Sequence, residues 1–313
     1  MSMRVTKFKN TIKNILFMGS AMIFSQGVLA IDLQDIKKQG VLRHIGVPYA
    51  NFVSYIKKDD FELLSGMDVE LVKGFAEYLG VEYQYVPAKW NNVIGKLTGQ
   101  HAQFENNKTI IGDECTIEGD IIANGVTILD WRAELADFSN DYFPSAVWLV
   151  ARADSDLHPI QPTNSIDKDI KKVKLLINGR DVLAMEHSCL DPNLYNLYST
   201  GANIILPATE RSLNEMVPAI LNKDAESTLL DVADTLIALE KWPGEIKVIG
   251  PVSQEQRMGA VFRKSSPELR KAFNQYLDDI KKDGTYLQLV EKYYPSVSDF
   301  YRDYFNHCHK LGR

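Results

Sequence analysis

The chain has 313 residues with 35 basic and 41 acidic side chains, a formal net charge of −6 at pH 7. That balance argues against a nucleic-acid partner, whose phosphates call for a basic face. Three cysteines permit one disulfide at most, which excludes a disulfide scaffold, and their spacing matches no zinc site.

Arg4, Lys7, Lys9 and Lys13 open the chain without an acidic residue. An apolar run over 15–24 follows, and then Val28-Leu29-Ala30, with small residues where a signal peptidase needs them. This layout predicts a cleaved secretory signal peptide over 1–30 and so a periplasmic protein. The run is shorter than the roughly 20 residues a transmembrane helix needs. No cysteine at the cleavage point points to a lipid anchor. Cleavage leaves 283 residues with 31 basic against 41 acidic charges, a net −10. That length is large for one core and comfortable for two lobes.

From there helical and strand patterns alternate, which predicts an α/β fold. A buried strand over 41–47 leads to a helix on which Met67, Leu71, Val72, Phe75 and Leu79 share a face, ended by Gly80. A strand over 81–87, a short helix over 91–97 and strands over 120–124 and 146–152 follow. Residues 100–119 exceed the roughly 2–6 residues usual for such a connection. Their alternation predicts a small hairpin or flap, either a surface insertion or a lid over a cleft. The second half offers strands over 173–177, 181–185 and 203–206, a helix over 192–198 and another over 212–221. A strand over 228–231 and a helix over 233–240 come next. The chain returns through 246–250 and 258–263 and closes with a helix on which Leu269, Ala272, Phe273, Tyr276, Leu277 and Ile280 form the apolar face.

Three motifs in order carry a resemblance. NGVTILDWRAELADFS (124–139), GMDVELVKGFAEYLGV (66–81) and KKDGTYLQLVEKYY (281–294) resemble segments of the family 3 extracellular solute-binding proteins of amino-acid ABC transporters. The resemblance implies a two-lobed periplasmic binding protein of type 2, each lobe a sheet flanked by helices, joined by a two-strand hinge. One lobe is expected to take 31–149 plus 256–313, and the other 150–255. It further implies capture of a small amino-acid-like or other polar anionic solute by hinge closure. Delivery to an inner-membrane ABC permease by a monomer would follow.

The resemblance also implies roles. Arg132 would grip the ligand's α-carboxylate, since a guanidinium fork matches a carboxylate in a way a lysine cannot. Thr127 would support it, with the Gly125 backbone nearby, at the carboxyl end of a strand. The alternative for Arg132 is a surface ion pair with Glu134 or Asp137. In the second half, Ser188 and Cys189 occupy the place of a ligand-binding loop that opens a helix, where free N–H groups attract an anion. Asp231 would accept an ammonium group, or else only cap the following helix. Asp191-Pro192 reads as a helix cap, and His187 as structural or cleft-facing. Phe52, Tyr49 and Trp90 are candidates for an aromatic wall, with core packing the alternative for each.

No Gly-rich phosphate loop, GxGxxG or Gly-x-Ser-x-Gly occurs, so neither a cofactor nor a nucleophile elbow is expected. His307-Cys308-His309 lies in a C-terminal tail without further ligands and is not read as a metal site. The protein is therefore expected not to be an enzyme. Two alternatives stay open: a periplasmic enzyme similar to cyclohexadienyl dehydratases, with Asp191 or Glu186 handling the proton, and a ligand-sensing receptor module.

Overall fold

The computed structural model describes residues 31–58, 61–105, 108–207 and 212–305. The signal-peptide reading and the His307-Cys308-His309 tail fall outside the described residues.

The molecule is built on two five-stranded sheets, each flanked by helices. In the first, the order is Glu82–Pro87, Val41–Gly46, Ile121–Ile122, Val261–Phe262, Asp137–Phe138. Val41–Gly46 lies parallel to both neighbours, while Val261–Phe262 runs antiparallel to both of its own. In the second, the order is Asn203–Ile205, Asp181–Leu183, Ser227–Asp231, Val147–Arg152, Ile246–Pro251. Asp181–Leu183 is parallel to its neighbours, and Val147–Arg152 is antiparallel to its own. Between the sheets, Phe143–Ser145 pairs antiparallel with Gln256–Met258. The chain leaves the first sheet along one of these strands and returns along the other, so a two-strand connection joins the two lobes.

The helix Met67–Leu79 forms where the apolar spacing predicts it, and Gly80 closes it in the left-handed conformation. Its buried face includes Leu71, Val72 and Phe75, and Phe75 meets Phe273 of the helix Pro267–Asp283 edge to face at 5.1 Å. Gln100–Glu105 and Lys108–Glu114 pair as a hairpin, in a two-stranded sheet of its own. A second hairpin, Ser54–Lys58 with Phe61–Ser65, fills a stretch that the sequence patterning left unassigned.

Two expectations are corrected. Residues 173–177 are not a strand: they are the last turn and the cap of the helix Ile166–Leu176, and the buried Asp169, Val173 and the cap Ile177 recur every fourth residue. The apolar run at 173–177 mimics a buried strand, yet Leu175 is 78% exposed. Nor do residues 192–198 form a helix. They run as turns into a short 3₁₀ segment, Leu197–Thr200, whose cap Asn196 sits at φ 56°.

Candidate functional site

The loop leaving Ile121–Ile122 and the end of Ser227–Asp231 bring the predicted residues together, both at carboxyl ends of strands. Gly125 shapes that loop. Its φ is +65°, and a Cβ there would lie 2.4 Å from the Phe52 ring, so only glycine fits. Its N–H donates to Asp68 Oδ2 at 2.7 Å, and the Tyr142 hydroxyl donates to the same oxygen at 2.7 Å. Thr127 pairs with Met258 of the connecting strand, and its buried hydroxyl makes no hydrogen bond of ordinary geometry.

Arg132 lies in the helix Asp130–Leu135 and is 2% exposed. Its Nη1 donates to the Thr127 carbonyl at 3.0 Å. Its guanidinium sits over two indoles, 5.3 Å from the Trp131 ring and 5.7 Å from that of Trp90. Among the described residues no carboxylate pairs with it. The expected alternatives are engaged elsewhere: Asp137 pairs with Arg270, and Glu134 accepts from the Thr109 hydroxyl at 2.8 Å. Burial therefore pushes the guanidinium pKa down from its ordinary value.

Asp231 caps a helix with one carboxylate oxygen and leaves the other to reach a first-lobe side chain. Oδ1 accepts from the Asp234 N–H at 3.0 Å and caps the helix Val232–Lys241. Oδ2 accepts from the Tyr49 hydroxyl across the cleft, and the Cys189 thiol lies 3.9 Å away. Burial pushes the Asp231 carboxyl up to about 6. It likewise pushes the Cys189 thiol up to about 12, so the thiol is neutral. Cys189 also feels the Arg132 charge and the Thr127 hydroxyl, which places it between the two halves of the site.

The other candidates divide. Trp90 meets Tyr49 edge to face at 5.8 Å, so these two rings stand beside Arg132 and Asp231. Phe52 instead packs on Phe143 at 5.1 Å and Tyr294 at 4.9 Å, inside the aromatic core. The Ser188 hydroxyl is committed within its own loop, donating to the Met185 carbonyl at 2.8 Å and accepting from the Leu190 N–H at 3.0 Å. Because no helix follows, that loop offers no helix N-terminus to an anion, a correction to the expected anion site. Asp191 caps no helix either. Its carboxylate accepts from the N–H groups of His187 at 3.0 Å and Asn193 at 2.9 Å, which closes a turn. His187 sits in that turn at φ 61°, and Glu186 is exposed.

Three contributors escaped the sequence reading. Asn214 accepts from the Ala50 N–H at 3.0 Å, a second contact across the cleft. It falls within a capping box, Ser212 to Glu215, that is visible as Ser-x-x-Glu. Tyr195 donates to the Cys189 carbonyl at 2.5 Å, and Gln256 Nε2 donates to the Tyr195 hydroxyl at 3.4 Å. Neither residue carries a sequence signal, since a lone Tyr in a turn and a Gln in a connecting strand match no motif.

Comparison with known proteins decides the family. The model of the bacterial extracellular solute-binding proteins, family 3, matches residues 116–296. The chain belongs to this family. It is 24% identical over 262 residues to the L-cystine-binding protein TcyJ of Escherichia coli (strain K12), covering 84% of this chain and 85% of that one. It is 25% identical over 236 residues to the membrane-bound lytic murein transglycosylase F of Desulfosudis oleivorans, covering 75% of this chain and 45% of that protein. The chain thus spans about half the length of that relative. A crystal structure of a variant of ArgBP from T. maritima superposes with a TM-score of 0.66 at 22% identity, over 85% of this chain and 100% of that one. That likeness establishes the fold. Among the described residues no helix is long and apolar enough to cross a membrane.

Proposed function

We propose that the protein is an exported receptor that captures a zwitterionic amino acid in the cleft and hands it to an inner-membrane ABC permease. In this reading the lobes are 31–149 with 256–313 and 150–255, and they close about Phe143–Ser145 and Gln256–Met258. The observation that carries it is Arg132: a buried guanidinium without a carboxylate partner among the described residues, linked to the buried Asp231 through the rings of Trp90 and Tyr49. A buried cation is strongly unfavourable unless paired, and a ligand carboxylate would pair it. Asp231 would exchange the Tyr49 hydroxyl for the ligand's ammonium, while Thr127 and Cys189 lie between the two ends. The names of TcyJ and ArgBP, which speak of cystine and arginine, support an amino acid as the ligand class. The basic and apolar pattern of residues 1–30 supports export to the periplasm.

The test is a thermal-shift screen of the mature chain against amino acids, polyamines and organic acids, followed by calorimetry on the hits. Stabilisation by amino acids, with the ligand recovered unchanged, is the expected outcome. Stabilisation by dicarboxylates or polyamines alone would sink the zwitterion reading.

A further inference from the structure

A cavity of about 670 Å³ adjoins the candidate site, within the size range of small-molecule pockets. Its lining includes Phe104 and Lys108 of the hairpin, Trp131 and Glu134 of the Arg132 helix, Tyr195 of the second lobe and Gln256 of the connection. Trp131 belongs to both spaces. Its ring stacks with Phe104 at 6.0 Å and lies 5.3 Å from the Arg132 guanidinium. Tyr195 is shared as well: its hydroxyl donates to the Cys189 carbonyl, and it lies close enough to Arg132 to feel that charge. The Thr109 hydroxyl donates to Glu134, which ties the hairpin to the Arg132 helix.

Among the described residues, two polar atoms carried by lining residues are buried and make no hydrogen bond: the Trp131 indole N–H, in a residue 6% exposed, and the Gln256 side-chain carbonyl oxygen. One donates and the other accepts. Buried polar groups are normally satisfied, so each unpaired one marks a place where a hydrogen-bonding guest would be favoured. Lys108 together with Asp130 and Glu134 adds both signs of charge to the lining.

We propose that this cavity is a second compartment of the ligand site, which takes the distal end of an elongated α-amino acid bearing both a hydrogen-bond donor and an acceptor. The hairpin then sets specificity. This rests on the reading of Arg132 as the carboxylate grip and extends it to the far end of the ligand.

Calorimetry on the purified chain tests it with four probes: L-alanine, L-norleucine, L-citrulline and L-cystine. L-citrulline and L-cystine should bind at least about tenfold more tightly than the other two, the sum of two neutral hydrogen bonds. Trp131→Phe and Gln256→Met should each weaken the two long polar ligands by about 3- to 10-fold, and by more than they weaken L-alanine. Equal affinities for long and short ligands would overturn the second compartment and leave the amino-acid reading standing. So would variants that weaken L-alanine as much as L-cystine, because the residues would then act through Arg132. Failure of all four probes to bind would sink the underlying reading and this one with it.

Discussion

Two buried arginines on the first lobe are treated in opposite ways. Arg263, 6% exposed, donates to Asp120 Oδ1 at 3.1 Å and to the Gly119 carbonyl. Asp120 also takes Arg43 through Nε at 3.0 Å and Nη2 at 2.8 Å. Every charge in that cluster has a partner, and Asp120 holds the Arg43 guanidinium above its ordinary pKa. Arg132 follows Asp120 by twelve residues and is as deeply buried, yet it has one carbonyl and two indoles, and its pKa moves down. The contrast separates a charge the fold uses from a charge the fold tolerates. Burying an unpaired cation costs stability, a cost that a ligand carboxylate would offset in the proposed reading.

Breaking the first cluster should produce the largest effect. Asp120→Ala leaves two arginines without their carboxylate, and removing one partner of a buried pair typically costs about 3–5 kcal/mol. Urea unfolding should show a loss of that size, with amino-acid affinity of the surviving folded protein unchanged. A loss below about 1 kcal/mol would mean the cluster is solvated and the comparison misdrawn.

At the other arginine the order of effects reverses. Arg132→Lys should weaken an amino-acid ligand by about 10- to 150-fold, since a charged hydrogen bond is worth roughly 1.5–3 kcal/mol. Arg132→Met, which removes a buried unpaired charge, should leave the unliganded protein as stable as before or more so. Unchanged affinity in calorimetry would return Arg132 to a purely structural role.

Asp231 sharpens the comparison through pH. Burial raises Asp231 from its ordinary 3.8 to about 6, and a ligand ammonium would lower it again. Affinity should therefore be fully present above pH 6 and fall as the free protein takes up a proton, by about tenfold between pH 7 and pH 5. Asp231→Asn should flatten that profile. The sign for folding is opposite. A raised carboxyl contributes stability below its ordinary value that is lost as pH rises through 6, so Asp231→Asn should stabilise the unliganded protein at pH 7. An affinity that rises on acidification would show that Asp231 does not face the ligand's cation.

The first-lobe part of the candidate site was legible in the sequence, because apolar periodicity placed the Met67–Leu79 helix and the motif resemblance pointed to Arg132 and Thr127. The hairpin at 100–114 announced itself through alternation and excess length. What resisted was packing order among rings. Phe52 and Tyr49 are three residues apart and equally buried, yet only Tyr49 reaches Asp231, a consequence of the tight turn in which Tyr49 and Val53 pair. The helix Ile166–Leu176 was hidden for a related reason: it buries so few side chains that its period is faint, while its last turn imitates a strand. Tyr195 and Gln256 carry no local signal because their significance arises only when the connection and the second lobe meet.

The smallest effect is expected at Asp191, and it bears on whether the second lobe does chemistry. The sequence offered this residue as a helix cap or, in the dehydratase-like alternative, as a proton carrier. Its carboxylate instead holds a turn, with Oδ1 accepting from the Asn193 N–H at 2.9 Å and side-chain amide at 3.0 Å, and Oδ2 from the His187 N–H at 3.0 Å. An asparagine keeps one oxygen and turns an amide toward the remaining N–H, so Asp191→Asn loses one hydrogen bond to a carboxylate, about 1.5 kcal/mol of stability. His187, held at φ 61°, is where the turn would relax first. Amino-acid affinity should stay within about twofold, because no contact from Asp191 reaches Arg132 or Asp231. A proton-transferring role requires the reverse, a fold scarcely changed and turnover abolished. Incubation of the mature chain with prephenate and with arogenate, followed for phenylpyruvate and phenylalanine, separates the two outcomes. Product above the spontaneous rate that disappears in Asp191→Asn would make this turn a catalytic element, whereas a small stability loss with unaltered binding would leave it as the support on which Cys189 is carried into the cleft.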